Sequence, residues 1–395
     1  MSQSSLASNN AGVVVAGLAL FSMFFGAGDL IWPLILGGES GNQNVYAVLG
    51  LLITGVSLPL LGLISMMLFQ GNYRAFFGRL GRIPALVIIF IVQVILGPAG
   101  SIPRLMTLSH ATLKPYLSEE GVSLLAFSVV ASIIVLGFTL RPQKIIDILG
   151  VVLTPLLLLC LGAILAIGFY HHPEALPVDF GHKAAFSNGL SVGYNTLDLI
   201  ASFMFAPLVL SHFLTGSDDE LRDPQKRKQI FRKMFQASLL AAGLLSIMYI
   251  GLTLVSSYYT PLLEASHKPE ERLSAIALYL LGPKGAFIAC LAVSMACLTT
   301  AIPLVSIFAN YMREDLMGGK GGFLFPLFVT LGISIMLANM GFMGIANMLS
   351  PILGILCPGL IVLSVFNIFH RLYETRVPRL PIFATFAFST VGALL

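Results

Sequence analysis

The chain has 395 residues, of which 57% are hydrophobic and only 10% charged, with a formal net charge of +4 and a mean hydropathy of +0.91. A water-soluble domain carries about 25% charged residues, so this composition excludes a soluble globular protein and describes a polytopic membrane protein. The positive balance does not indicate nucleic acid, because the basic residues lie in short segments between apolar runs.

A helix needs about 20 apolar residues to cross a bilayer. Eleven runs read as spans, in chain order 11–36, 45–69, 84–108, 121–140, 144–170, 189–214, 231–258, 284–312, 322–339, 344–369 and 380–395. The opening "MSQSSLASNN" has no basic region, and the run after it is too long for a signal peptide, so the first run reads as a retained helix. The last run barely suffices to span, and the natural chain is expected to continue into more of that helix and into a twelfth. Cys160, Cys290, Cys297 and Cys357 all fall inside apolar runs, without disulfide or metal spacing, and read as small packing residues.

The loops orient these spans. With the N-terminus inside, loops 70–83, 141–144, 213–233, 313–321 and 370–379 are also inside and carry sixteen of the 22 basic residues. The outside loops carry four, Lys114, Lys183, Lys268 and Arg272. An alternation of this kind is the positive-inside rule, and one miscounted span would scramble it. The cluster "RDPQKRK", Arg222–Lys228, reads as a solvated inside loop against anionic lipid. His171, His172 and His182 fall in an outside loop.

The first span contains "FSMFFGAGDLIWP", Phe21–Pro33, with Gly26, Gly28, Asp29 and Pro33 at mid-membrane depth. An unpaired backbone group in hydrocarbon costs several kcal/mol, so irregular backbone there persists only where protein or solute satisfies it. A tightly packed, kinked helix is the plain alternative. The sixth span repeats the feature. In "NGLSVGYNTLDLIASFMFAPLVLSHF", Asn188–Phe213, Asp198 and Pro207 interrupt an apolar run. Five is odd, so a second five-span unit enters from the opposite side, and paired broken helices build a site at the midplane. The expected fold is an all-α, polytopic membrane protein of 11–12 helices. It is a five-plus-five inverted repeat, residues 11–170 and 189–369, with helices one and six broken and 380–395 starting an extra helix.

Ionisable residues inside spans point to function, because charge there is expensive. Asp29 and Asp198 are candidate functional groups, and the plain alternative for Asp198 is a buried acid capping the broken helix. Arg104 is read either as snorkelling to the headgroups or as a gating and charge partner of Asp29 or Asp198. Gln93 is expected to act as packing glue. Phe203 and Phe205 either close over an apolar substrate or pack in the core. No zinc-protease, redox, nucleophile-elbow or Walker motif is present, so the chain is not expected to be an enzyme or to use ATP, and no cofactor is implied.

Four segments, "LALFSMFFGAGDLIWPLILG" (Leu18–Gly37), "LGPAGSIPR" (Leu96–Arg104), "GYNTLDLIASFMF" (Gly193–Phe205) and "ACLTTAI" (Ala296–Ile302), together resemble the branched-chain amino acid:cation symporter family. The resemblance implies a fold like the bacterial leucine transporter, in the bacterial inner membrane with a cytoplasmic N-terminus. It implies uptake of leucine, isoleucine and valine driven by Na+ or H+. It places the unwound part of helix one at Phe25–Asp29, with the amides of Gly26, Ala27 and Gly28 toward the substrate carboxylate. It places the break of helix six at Asn195–Ser202, toward the ammonium. Thr299 and Thr300 would offer hydroxyls to Na+, completed by helix-one carbonyls at Phe24 and Ala27; hard cations favour such oxygens. Taken alone, the threonine pair reads as back-bonding to its own helix. The family pattern has asparagine where this chain has Asp29. An acid there could repel an anionic group, ligate sodium, titrate, or face a cationic substrate. A related transporter of another neutral or cationic metabolite is the alternative; a membrane-embedded enzyme or sensor using Asp29 and Asp198 is a further one.

Overall fold

The structure is a computed structural model describing residues 3–117, 121–140, 154–171, 173–175, 177–179, 181–214, 223–263, 268–374 and 378–394. Every described element is helical. The first span is α1 (Gln3–Phe24) and α2 (Ala27–Ser40); the second is α3 (Asn44–Leu52), a π-turn over Ile53–Ser57, and α4 (Leu58–Leu68). A short α5 (Tyr73–Phe77) precedes α6 (Arg82–Leu96) and α7 (Ser101–Leu113), which together form the third span. There follow α8 (Leu124–Thr139), α9 (Thr154–Tyr170), α10 (His182–Tyr194), α11 (Asp198–Phe213), α12 (Pro224–Leu263), α13 (Arg272–Tyr311), α14 (Leu324–Ala338), α15 (Gly341–Tyr373) and α16 (Arg379–Leu394). Six stretches are long and apolar enough to cross a membrane by themselves: Ala27–Leu68, Arg82–Tyr116, His182–Phe213, Pro224–Tyr259, Pro269–Leu316 and Gly341–Tyr373. Each expected span falls on helix; of the fifth, only the part from Thr154 lies within the described residues.

Three details differ from the sequence reading. The third span is not continuous, since Gly97, Pro98 and Gly100 separate α6 from α7. The kink is bridged by Gly97 N–H donating to the Gln93 carbonyl at 2.8 Å and Ala99 N–H to Val94 at 3.0 Å, so the chain bends without orphaning its backbone. The basic cluster is not a loop from Asp223 onward. Asp223 caps α12 by accepting from Gln225 N–H at 2.9 Å, and Pro224 takes the first helical position, which needs no N–H. Its charges line the exposed first turns; Arg222 is outside the described residues. Finally, α13 starts at Arg272 and bends at Gly282, whose φ of 67° is open only to glycine at low cost, just before the expected eighth span.

Packing follows from small residues. Gly50 of α3 and Gly189 of α10 face each other's helices so closely that a Cβ on either would meet backbone of the other. Without a hydrophobic drive between helices in lipid, such close approach supplies the van der Waals attraction. In the same way α12 runs along both halves of the first span, α11 along α4 and α13 along α7. Large apolar side chains such as Ile83, Leu159, Met336 and Phe388 are exposed on the outer shell, as a lipid-facing surface requires.

Polar contacts gather at two opposite ends. At one, Asp315 pairs with Arg74 at 2.9 Å and accepts from Tyr73 at 3.0 Å, and Arg379 Nε donates to the Arg79 carbonyl at 3.0 Å. These join loops 70–83, 313–321 and 370–379, all assigned to one side by charge. Burial and the Asp315 carboxylate push the Tyr73 phenol up to about 12, so it remains a donor. At the other end Lys114 pairs with Glu271 at 2.7 Å, and Asn188 Nδ2 donates to Glu39 at 3.1 Å. Three of the five loops grouped by charge thus meet in space.

Candidate functional site

The two interrupted spans touch at their interruptions. The first breaks at Phe25–Gly26, between α1 and α2. Gly26 has an extended backbone, φ −113° and ψ −153°. The sixth breaks at Asn195–Leu197, between α10 and α11. Leu197 there is left-handed, with φ 74° and ψ 3°, at a cost of about 1–2 kcal/mol for a residue with a Cβ. It is 4% exposed, so its packed side chain holds the strained backbone. Gly28 fixes the approach of the breaks: a Cβ on it would lie 2.9 Å from the Thr196 carbonyl oxygen and 3.1 Å from Thr196 Cα.

A cavity of about 30 Å³ opens at this junction. That holds one or two waters, well below the few hundred Å³ of a small-molecule site, so the conformation is closed. Met23, Phe24, Leu96, Leu105, Leu197, Phe205 and Leu304 provide apolar walls. Phe24 and Phe205 meet edge to face at 5.4 Å and seal one side. Asp29, Ser101, Arg104, Thr196, Asp198 and Thr300 are the polar lining.

Both carboxyls are fixed by a residue the sequence reading missed. Tyr249, on α12 and 0% exposed, contacts Asp29 Oδ1 in a short hydrogen bond and Asp198 Oδ2 at 2.7 Å. One hydroxyl has one hydrogen to donate. Two linear hydrogen bonds among three oxygens need two hydrogens, so both are complete only when a carboxyl supplies the second. The other oxygen of Asp29, Oδ2, accepts from Gly26 N–H at 2.8 Å and caps α2. A tyrosine inside an apolar run was the available signal, since a buried phenol usually finds a partner.

Arg104 is neither snorkelling nor paired. It is 1% exposed, donates from Nη1 to the Asn195 carbonyl at 3.0 Å, and lies over the Phe342 ring, 5.4 Å from its centroid. Its Nε and Nη2 have no partner, and it makes no ion pair with a carboxylate among the described residues. Asn195 donates from Nδ2 to Ser191 at 3.2 Å, while its Oδ1 is buried without a partner.

Thr300 reaches across to the first span. Its hydroxyl lies 2.9 Å from the carbonyls of both Ser22 and Ala296. Thr299 bonds only back to Ala296, at 2.9 Å, and is not in the cavity lining. Phe25 stacks on Phe21 at 4.9 Å. Ser202 donates to Leu199 at 2.6 Å and packs on Gly62 of α4. Phe203 is wedged against Phe76 and Phe77, at 5.2 and 5.6 Å. The cavity wall therefore includes Phe24, Gly26, Ala27, Gly28, Asp29, Arg104, Asp198 and Thr300 from the expected set, with Asn195 just behind it, and omits Phe25, Ser202, Phe203 and Thr299. Gln93 is glue as expected, donating to Met204 Sδ at 3.2 Å. The four cysteines are free thiols.

The same architecture recurs in solved transporters. A crystal structure of an Eremococcus coleocola manganese transporter variant superposes with a TM-score of 0.65 at 14% identity, covering 100% of this chain and 87% of that one. A nucleobase-cation-symport-1 family transporter, closed around bromovinylhydantoin, gives 0.66 at 13% identity, covering 97% and 90%. Identities this low speak for the fold alone, the leucine-transporter-like arrangement. Sequence relatives are nearer. A Staphylococcus epidermidis protein with the provisional name of branched-chain amino acid carrier is 31% identical over 386 residues, 92% of this chain and 83% of its own. A Staphylococcus aureus protein with the same provisional name is 30% identical over 404 residues, covering 96% and 88%. The profile of branched-chain amino acid transport proteins matches residues 9–395. A membrane transporter fold, broken at two touching helices around a small mixed cavity, and a profile spanning nearly the whole chain lead to one conclusion: the chain belongs to the branched-chain amino acid transport protein family.

Proposed function

We propose that this protein is a secondary active symporter that imports leucine, isoleucine and valine by alternating access. The observation that carries the reading is the cavity at the junction of α1, α2, α7, α11 and α13. Its apolar wall suits a branched aliphatic side chain, and buried groups of both signs beside it suit a zwitterion. The provisional names of the staphylococcal relatives agree with it. The breaks at Gly26 and Leu197 are the hinges about which helix halves would rotate to open the closed cavity. We place the protein in the bacterial inner membrane with its N-terminus cytoplasmic, as the loop charges favour, and read residues 11–170 and 189–369 as inverted repeats.

The coupling ion is Na+ or H+, and each has support in the structure. The Thr300 hydroxyl and the carbonyls of Ser22 and Ala296 converge from α13 and α1, an all-oxygen set of the kind hard cations take. The Asp29–Tyr249–Asp198 chain needs a shared proton to complete its hydrogen bonds. Uptake of labelled leucine into proteoliposomes, with sodium and proton gradients imposed separately, tests the reading. Accumulation that collapses with one gradient is the expected result. Absence of uptake of any branched-chain amino acid under both gradients would refute it.

A further inference from the structure

The positive end of α2 is the place where a helix-bound anion would ordinarily sit, at free first-turn amides. Here Asp29 Oδ2 already occupies the Gly26 N–H at 2.8 Å, so a carboxylate of this chain stands at that end. A second carboxylate arriving there would face the charge of the first. The cavity does hold a cation with unused donors. Arg104 is 1% exposed and lines the cavity. Among the described residues only its Nη1 is engaged, by the carbonyl of Asn195, and Nε and Nη2 are buried without partners. These two nitrogens lie on one edge of the planar guanidinium, with parallel N–H bonds, and that edge is the fork that grips a carboxylate through two hydrogen bonds. A buried guanidinium with unpaired donors is strongly unfavourable unless something completes it. The Phe342 face compensates it only weakly.

Resting on the symporter reading above, we propose that Arg104 anchors the α-carboxylate of the amino acid substrate through its Nε–Nη2 edge. The Asn195 backbone carbonyl orients the guanidinium through Nη1. The substrate side chain would point toward Leu105, Phe205 and Leu304.

The test compares L-leucine with L-leucinol, in which the carboxylate is replaced by CH2OH, for binding to the full chain in detergent by calorimetry. Wild type should prefer leucine by about 30-fold or more, the discrimination a charged, two-bond contact gives. In Arg104→Gln the preference should shrink to within about threefold, through loss of leucine binding rather than gain of leucinol. Arg104→Lys keeps the charge without the fork and should fall between them; it also serves if the glutamine variant does not fold. A purely structural Arg104 would lower the amount of folded protein in both variants while leaving the leucine-to-leucinol ratio of the folded fraction at its wild-type value, and that outcome overturns the proposal while the transport reading stands. Failure of wild type to bind any branched-chain amino acid overturns the transport reading, and this proposal with it.

Discussion

The hydrogen count around Tyr249 makes two nearby substitutions behave oppositely. Tyr249→Phe removes a buried hydroxyl that contacts both Asp29 and Asp198 and opens almost no volume. Its cost is therefore that of polar groups losing a partner, about 1.5–3 kcal/mol for a bond to a charged acceptor, or about 10- to 150-fold in the folding equilibrium. Asp29→Asn should be nearly neutral for stability, although it too alters a residue 1% exposed. The asparagine Oδ1 can take over the acceptance from Gly26 N–H made by Asp29 Oδ2. Its Nδ2 can donate to the Tyr249 oxygen, freeing the hydroxyl to donate to Asp198. Every link is then filled without a shared proton. Thermal unfolding of the two variants in detergent measures the contrast directly. Uptake measured across pH adds a second reading: wild type should lose activity when alkali removes the shared proton, and Asp29→Asn should lose less. Equal stability of Tyr249→Phe and wild type, or strong destabilisation by Asp29→Asn, would refute the assignment of hydrogens.

Other substitutions follow from the contacts. Gly28→Ala places a Cβ 2.9 Å from a backbone oxygen and should cost about 1–3 kcal/mol with loss of uptake, while Gly26→Ala, 3.2 Å from the flexible Leu105 side chain, should retain more of both. If sodium is the coupling ion, Thr300→Val should raise the half-saturating sodium concentration about tenfold or more, whereas Thr299→Val, outside the cavity wall, should leave it within about threefold. Asp315→Asn breaks the contacts with Arg74 and Tyr73. Because Arg74 is 58% exposed, stability should fall by less than about 1 kcal/mol. The hollow of about 330 Å³ beneath it, lined by Met204, Pro207 and Ser211, should open further. Faster thiol labelling of Ser211→Cys in that background would show this, and an unchanged rate would refute it.

What could be read from the chain depended on whether a signal was local. Gly26, Gly28 and Asp29 sit within four residues of one another, and lipid makes any such cluster costly, so the two breaks were visible without coordinates. The count of spans followed from hydropathy, and the grouping of loops from their charges. Register around the helix was another matter. Ser202, Phe203 and Phe205 are neighbours in sequence, but about 100° per residue turns them to different partners: Ser202 to Gly62, Phe203 to Phe76 and Phe77, and only Phe205 to the cavity. Sequence alone does not give the rotation of α11 about its axis, so three adjacent candidates looked alike. The kink at 97–100 was present as Gly-Pro-Ala-Gly, yet an apolar run carries straight through it.

The cavity also shows why its least legible residues matter most. Tyr249 comes from α12, and a lone phenol in an apolar run signals a partner without naming it; its role exists because α12 packs along both halves of the first span. Arg104 looked like a residue near a membrane face, yet it is buried on α7, just past the bend. Both are long side chains whose polar tips act far from their own backbones, so their function is a property of tertiary approach. With one proton shared, the two carboxyls would contribute a single negative charge against the one positive charge of Arg104. An amino acid zwitterion adds no net charge to that set. Arg104 alone would be left buried and uncompensated if both acids were neutral, and two free carboxylates would repel across the Tyr249 oxygen. One proton on the pair therefore balances the set, and it is also the count that completes the hydrogen bonds around Tyr249.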